Sequence, residues 1–429
     1  MSGPLEGIRV VELGMGIQGP LAGTFLADVG AEVIKIEPPT GDGTRFNLGP
    51  IDFPKEAPGG PQYLSANRGK RHLQFDLRTS EGRAVAHKLI ETADVFVTNF
   101  REDAMRRLEL DYDTLAKLNP RLVYGAVNGF GPTGPDAARP MYDLFAQARG
   151  GTASVTGRPD DTPNLPGMAL ADASGATMMA LGIMTALVAR ERRGVGQRVN
   201  TSGYGTLVWL QSWELCHAGL TGQSRGRHGP YHPLICGNYG VYRTKDGKAL
   251  AYMDHLNDES YRKFCEFGGI PELAGDERFD TMRKRMGWGG AEAALVASEQ
   301  RPLLERAFAS HTLDEWIAFL ESLDPDPELG DQMVMYQQVY DYDDILNDPQ
   351  ALDCGYIVER DVSGVGKKKV VGNPIELSET PAIPGTPGGE IGQHNEEILL
   401  ELGYDWDFIS KLREQTQAAI DQAFVFQEE

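Results

Sequence analysis

Short apolar runs alternate with longer segments in which apolar residues recur every three or four positions. Residues 8–13 (IRVVEL) read as a buried strand, a glycine-rich turn follows, and 20–31 (PLAGTFLADVGA) has helical spacing ahead of the strand 32–37 (EVIKIE). The rhythm repeats with a strand at 72–77 (HLQFDL), a helix at 80–93 capped by Thr79 or Ser80, and a strand at 94–100 (DVFVTNF). One helix through 104–118 and a strand at 122–130 (LVYGAVNGF) come next. Alternation on this scale predicts an α/β fold, a parallel sheet covered by helices on both faces. A long helix is expected from Asp172 to about Arg190, then a strand at 196–202 (GQRVNTS) and one helix over 204–220.

The texture changes at Gly222. A Gly/Pro/Arg linker (GQSRGRHGPYHP) leads into a hairpin that turns at Asp246-Gly247, and 258–322 has mostly helical spacing. At 429 residues the chain exceeds one ordinary core, so the expected division is a large domain at 1–222, a small α+β domain at 223–350, and a C-terminal segment at 351–429. That last segment holds an irregular stretch, 373–392, and a helix stopped at Gly403.

Charge narrows the functions open to the chain. With 62 acidic and 41 basic side chains the formal net charge is −21, which argues against nonspecific nucleic-acid binding and anionic membrane surfaces, though not against an anionic small ligand. The four cysteines are far apart and form no C-x-x-C pair, so neither a zinc site nor a disulfide framework is expected. The first residues lack a signal-peptide pattern, and the uncharged run 173–189 is short for a membrane span and carries Ser, Thr and Gly. A buried helix and a cytoplasmic location are the expectations.

Several motifs carry candidate chemistry. Gly14-Met15-Gly16-Ile17-Gln18-Gly19 has the dinucleotide-binding spacing after a strand, with Glu37 where a ribose-binding acid belongs. Pro20 sits awkwardly for that fingerprint and suits the first turn of a helix; a tight turn, or a turn serving another ligand, remain alternatives. Basic residues gather at Arg68, Lys70, Arg71 and Arg78, at Arg101, Arg106 and Arg107, and at Arg139. Parallel strands would bring Arg78, Asn99 and Phe100 to one sheet edge, where guanidinium forks suit phosphates; ordinary solvated charge is the alternative. His228 and His232 stand four apart, but Gly229-Pro230 breaks any helix that would join them on a metal. The TSGYG segment lacks the spacing of a serine-nucleophile elbow.

One carboxylate stands apart. Between Asp161 and Arg190, Asp172 is the one ionisable residue, set among Ala171, Ala173, Ser174 and Gly175. Helix N-capping explains an aspartate there. The small neighbours suggest room for a ligand, and a helix N-terminus favours an ionised, nucleophilic acid at neutral pH.

These residues together resemble the class III coenzyme A transferases, the family of formyl-CoA transferase, crotonobetainyl-CoA:carnitine CoA-transferase and the 2-methylacyl-CoA racemases. The likeness runs from GIRVVELG and GPLAGTFLADVGAEVIKIEPPTGDGTR through NRGKRHLQFDL, ADVFVTNF, LNPRLVYGAVNGFGPTGP and MYDLFAQARGG to LADASGATMMALGIMTALVARERRGVGQRVNTS and GQHNEEILLELGY. It implies a Rossmann-like large domain formed by both chain ends, a smaller domain, and an interlocked homodimer. Asp172 matches the family's nucleophile, with Ala171 in place of the preceding glycine. Matched coenzyme A contacts are Ile17, Gln18, Phe75, Arg78, Asn99, Phe100 and Arg107, with Tyr142 and Asp143 beside the acyl end. Pro38 stands where one relative has an arginine for phosphate, and RHGPYHPLICGNYG lacks the glycine run of formyl-CoA transferase, which speaks against oxalate and formate as the specific pair.

The resemblance implies CoA transfer from an acyl-CoA to a free carboxylic acid through an aspartyl anhydride and an aspartyl-CoA thioester, with coenzyme A as substrate and no tightly bound cofactor or metal. Racemases of the family carry a histidine at the position of Tyr142, a poor proton shuttle, so transfer is favoured over racemisation. A dehydrogenase and a non-catalytic CoA-binding protein are the remaining alternatives.

Overall fold

Six strands lie side by side in one parallel sheet. The computed structural model describes residues 3–329 and 334–425. The strands are β1 (Arg9–Leu13), β2 (Glu32–Glu37), β3 (Lys70–Gln74), β4 (Val95–Thr98), β5 (Val123–Asn128) and β6 (Gln197–Ser202), in the order β3-β2-β1-β4-β5-β6. The chain winds outward from β1 in one direction and from β4 in the other. Their carboxyl ends therefore flank a crevice, the place where open α/β sheets take ligands.

Along the chain the helices are α1 (Gln18–Asp28), α2 (Pro61–Ala66), α3 (Ser80–Thr92), α4 (Glu102–Arg107), α5 (Tyr112–Leu118), α6 (Asp143–Arg149), α7 (Thr152–Val155), α8 (Leu170–Arg193), α9 (Gly203–Leu210) and α10 (Ser212–Thr221). The two-residue period of the strands divides their side chains between two apolar layers. Val10, Val33, Val95, Val97 and Val123 face α1 and α8, where Ala22, Leu26, Ala176, Met179 and Ile183 cover them. Val11, Ile34, Phe96 and Tyr124 face the other way, onto Val85 and Leu89 of α3 and Ile409 and Leu412 of the C-terminal helix. Burial on both faces explains the apolar stretches Val10–Val11, Val33–Ile34 and Val95–Val97.

Three elements differ from the sequence expectation. Strand β3 lies two residues earlier, because its pairing with β2 runs from Val33–Lys70 to Glu37–Gln74 and Asp76 already begins the turn that Thr79 closes. The single helix over 104–118 is two, α4 and α5. Glu109 adopts φ 58°, and the Asp111 side chain starts α5 by accepting from Thr114 N–H. The helix over 204–220 is likewise two, α9 and α10, separated at Gln211. At α3 the cap is Thr79, accepting from Gly82 N–H at 3.0 Å.

Edge strand β3 is not left open. Gly69 N–H donates to Thr386, His72 exchanges bonds with His394, and Gln74 exchanges bonds with the Asn395 side chain. The C-terminal segment thus satisfies backbone groups that would otherwise template intermolecular pairing.

The chain forms two compact units. One comprises 1–150, 167–210 and 346–429, and carries the six-stranded sheet together with an antiparallel hairpin, Ile357–Val362 and Gly366–Val371. The other comprises 151–166 and 211–345. Its three-stranded antiparallel sheet (Gly240–Arg243, Ala249–Tyr252, Tyr336–Gln338) packs with helices around Trp316, Phe264, Phe308 and Tyr242. Helix α8 is the one helix among the described residues long and apolar enough to cross a membrane, and it packs against β5, β6 and α1.

Candidate active site

The turn after β1 and the end of β4 are tied together by one side chain. Asn99 donates from Nδ2 to Met15 O at 2.7 Å and accepts Met15 N–H on Oδ1 at 3.0 Å, extending the ladder beyond the strands. A Cβ on Gly14 or Gly19 would come within 3.1 Å of the Asn99 side chain, and Gly16 has φ 81°. Close approach to Asn99 and a left-handed turn therefore explain the glycine spacing without a pyrophosphate. Pro20 falls in the first turn of α1, which begins at Gln18 with Ile17 as cap, so its missing N–H leaves no helical bond unmade.

Glu37 is not available for a ribose. Arg45 donates Nε to its Oε2 at 2.8 Å and a second N–H to Oε1; Asp42 N–H and His72 add further bonds. Burial alone would raise the Glu37 carboxyl, but hydrogen bonds from Arg45 and His72 hold it well below the usual carboxylate range. Behind it Glu12 sits between Lys35 (3.1 Å) and Lys70 (2.7 Å), and Lys35 also meets Asp42 at 3.1 Å, all buried. Three of the basic residues read as an anion site are thus already paired: Lys70 on Glu12 and Arg68 on Asp28 (2.6 Å) inside the fold, and the partly exposed Arg71 on Glu32 at 2.6 Å.

Asp172 lies in the first turn of α8 but is not its cap. Ala169 occupies that position without a capping side chain, and the Asp143 carboxylate does the work from α6. Asp143 Oδ1 accepts from Ala171 N–H at 2.7 Å and Asp172 N–H at 3.1 Å. The Asp172 carboxylate is half-buried and accepts no hydrogen bond among the described residues. Burial, and secondarily the Asp143 charge, push its pKa up to about 6. Desolvation thus outweighs the helix dipole here, and the group is still ionised at neutral pH.

Gln18 of α1 meets α8 at Gly175. It is buried, its Nε2 has no hydrogen-bond partner, and a Cβ on Gly175 would lie 2.2 Å from that nitrogen. A Cβ on Gly203 would meet Met141 Cε at 2.9 Å and Gln18 Nε2 at 3.2 Å. The small residues around Asp172 therefore serve two purposes. Ala171 and Gly175 are buried, Gly175 against Gln18, while Ala173 and Ser174 are half-buried.

The structure brings together Ile17, Gln18 and Asn99 at the first turn, and Gln18, Asp143 and Asp172 at the start of α8. It does not join the remaining expected residues to them by any hydrogen bond among those described. The Phe75 ring is fully buried in the core, and its N–H donates to Glu37 O at 3.3 Å. Arg78 forks onto Asp76 at 2.8–2.9 Å with its side chain exposed, and exposed Arg107 pairs with Asp103 at 2.9 Å. Phe100 is half-buried against the core, and Tyr142 is exposed, edge-on to Phe145. His228 and His232 share no ligand site: His232 bonds Glu214 and Leu234 N–H, and no metal-binding group of three acids, histidines or cysteines occurs among the described residues. Ser202 Oγ accepts from Gly205 N–H at 2.9 Å, a turn rather than an activated nucleophile. Gln147, missed in the sequence, donates to Asp143; its signal was the four-residue spacing on one helix face.

The sheet is doubly wound, Asp143 and Asp172 meet at the start of α8, and the comparisons define the class of enzyme. Residues 5–395 match the model of CoA-transferase family III, and the chain belongs to that family. It is a CoA-transferase and uses CoA thioesters as substrates. It is 33% identical over 407 residues to succinate–glutarate CoA-transferase of Agrobacterium fabrum, covering 93% of this chain and 96% of that one. It is 38% identical over 316 residues to acetyl-CoA:oxalate CoA-transferase of Acetobacter aceti, covering 73% and 78%. A crystal structure of a CaiB/BaiF family protein from Brucella suis superposes with a TM-score of 0.80 at 32% identity, covering 94% of this chain and all of the other.

Proposed function

We propose that Asp172 is the nucleophile of a CoA exchange between a short-chain acyl-CoA and a free carboxylic acid. The observation that carries this reading is the setting of its carboxylate: half-buried, without a hydrogen-bond donor among the described residues, and held at a pKa of about 6. Such a group is ionised at neutral pH yet more basic than an exposed aspartate, and so a better nucleophile.

The carboxylate attacks the thioester carbonyl; the tetrahedral oxyanion collapses and expels CoA thiolate, leaving an aspartyl–acyl anhydride. The thiolate then attacks the aspartyl carbonyl and expels the donor acid, giving an aspartyl-CoA thioester. The acceptor carboxylate reverses both steps: it displaces the thiolate to form a new anhydride, and the thiolate takes its acyl group and frees Asp172. One thioester replaces another, so no nucleotide hydrolysis is needed. Retaining the thiolate supplies proximity, worth at most roughly 7–11 kcal/mol. The unpartnered Gln18 Nε2 is a donor for the oxyanion, assisted by the start of α1.

Coenzyme A follows the crevice between β1 and β4, held by Ile17, Gln18, the Phe75 backbone, Asn99 and Phe100, with Arg78 and Arg107 for its phosphates. Tyr142 and Asp143 flank the acyl end. Succinyl-CoA with a dicarboxylic acceptor such as glutarate is the pair to test first, given the relatives' names. A homodimer accompanies this reading: α10 buries no residue, and it exposes Trp213 (54%) and Leu220 (88%).

The test is chemical. Incubation with succinyl-CoA and then hydroxylamine converts Asp172 to a hydroxamate readable by peptide mass spectrometry, and Asp172→Ala abolishes transfer from succinyl-CoA to glutarate. Label on another residue, or retained turnover in the variant, overturns the assignment.

A further inference from the structure

Gln147 is fully buried in α6 beside a small apolar cluster of Ala146, Ala171 and Leu207. An amide is an expensive choice there unless its hydrogen bonds matter, since a leucine or methionine of similar volume would pack as well. Its Nε2 donates to Asp143 Oδ2 and, at 3.1 Å, to Met168 O. Asp143 spends its other oxygen on Ala171 N–H and Asp172 N–H. Met168 lies two residues before α8 begins. One amide nitrogen therefore holds both the acid that caps α8 and the chain entering it.

We propose that Gln147 is a positioning residue for the Asp172 carboxylate, acting through Asp143; this rests on the reading of Asp172 as nucleophile. With one oxygen held by Gln147, the other is fixed toward the helix start. The first turn of α8, and with it the direction of the Asp172 side chain, is thereby set. The same clamp keeps the Asp143 charge against Asp172. Among the described residues it is the one charged group that acts on Asp172, and Gln18, Met141 and Gly203, which pack about Ala171 and Gly175 from α1, the loop before α6 and α9, carry no charge. Release of Asp143 would leave two N–H groups at the start of α8 without their acceptor and let Asp172 ionise at lower pH.

The test uses the full-length enzyme with succinyl-CoA as donor and glutarate as acceptor. Gln147→Met keeps the volume and removes the donor. The expected result is a roughly tenfold or greater fall in kcat with KM for succinyl-CoA nearly unchanged, and an acid limb of the rate profile displaced below that of the parent. Parental kcat and an unmoved limb, even with a lowered Tm, overturn the proposal, because a residue that only supports packing would behave that way. Should Gln147→Met not fold, Asp143→Asn decides: it keeps an acceptor for the helix start and removes the charge, so the limb must move down, and a parental limb sinks the inference. Failure of the underlying reading is separately visible, since hydroxylamine would then leave Asp172 unlabelled in the parent enzyme.

Discussion

A Cβ atom on Gly175 would lie 2.2 Å from Nε2 of Gln18. The glycine on α8 and the glutamine at the start of α1 therefore share one volume, one turn of helix away from Asp172. Gly175→Ala forces the Gln18 side chain aside, and because the displaced atom ends a flexible side chain, the fold can accommodate it. The expected outcome is a Tm within a few degrees of the parent and a kcat lowered by roughly 10- to 100-fold, the order of magnitude for losing one oxyanion donor. Steady-state kinetics beside thermal melting check this; parental kcat would remove Gln18 from the chemistry.

Asp172 links activity to stability through pH. Its folded pKa of about 6 stands above the ordinary 3.8, so the folded state binds the proton more tightly than the unfolded chain. The associated stability is fully present below about pH 4 and is lost as pH rises through about 6. Asp172→Asn should therefore stabilise the protein at pH 8, by about 1–3 kcal/mol, and the gain should vanish towards pH 4. Urea denaturation at the two pH values measures it. The rate of transfer should rise through an acid limb near pH 6 as the nucleophile ionises.

Asn99 acts on the crevice by holding Met15 on both backbone groups. Asn99→Ala leaves that pair without partners, at a cost of about 1–3 kcal/mol, and loosens the turn. A raised KM for succinyl-CoA with a smaller change in kcat is expected from initial rates. An unchanged KM would separate this turn from coenzyme A binding.

The ion cluster under β1 and β2 should behave as pure scaffold. Lys70→Met removes one of two cations from the buried Glu12 carboxylate and should destabilise by about 3–5 kcal/mol while specific activity of the folded fraction stays parental. Urea unfolding and an assay normalised to folded protein distinguish this from a role for Lys70 in phosphate binding.

Much of the scaffold is legible in the chain itself because its signals are local. A strand buried on both faces reads as an apolar run, as at Val95–Thr98, and Thr79 sits where a helix needs an oxygen for a free N–H. The split at Glu109–Asp111 was masked by matching helical spacing on both sides, and the shift of β3 depended on its partner strand. The candidate site divides the same way. Asp172 stands out by its isolation, and the glycine spacing marks the turn, but Glu37 and Lys70 looked like ligand-binding groups until their buried partners were in view.

Periodicity and turn chemistry, which act over a few residues, determined the alternation of strands and helices, the α/β class and the singular position of Asp172. Only the tertiary structure decided what each polar group faces: Asn99 across from Met15, Asp143 capping a helix 27 residues downstream, Gln18 against Gly175. The reason is physical. Desolvation and hydrogen bonding depend on what is near in space, and those neighbours come from strands and helices far apart in the chain.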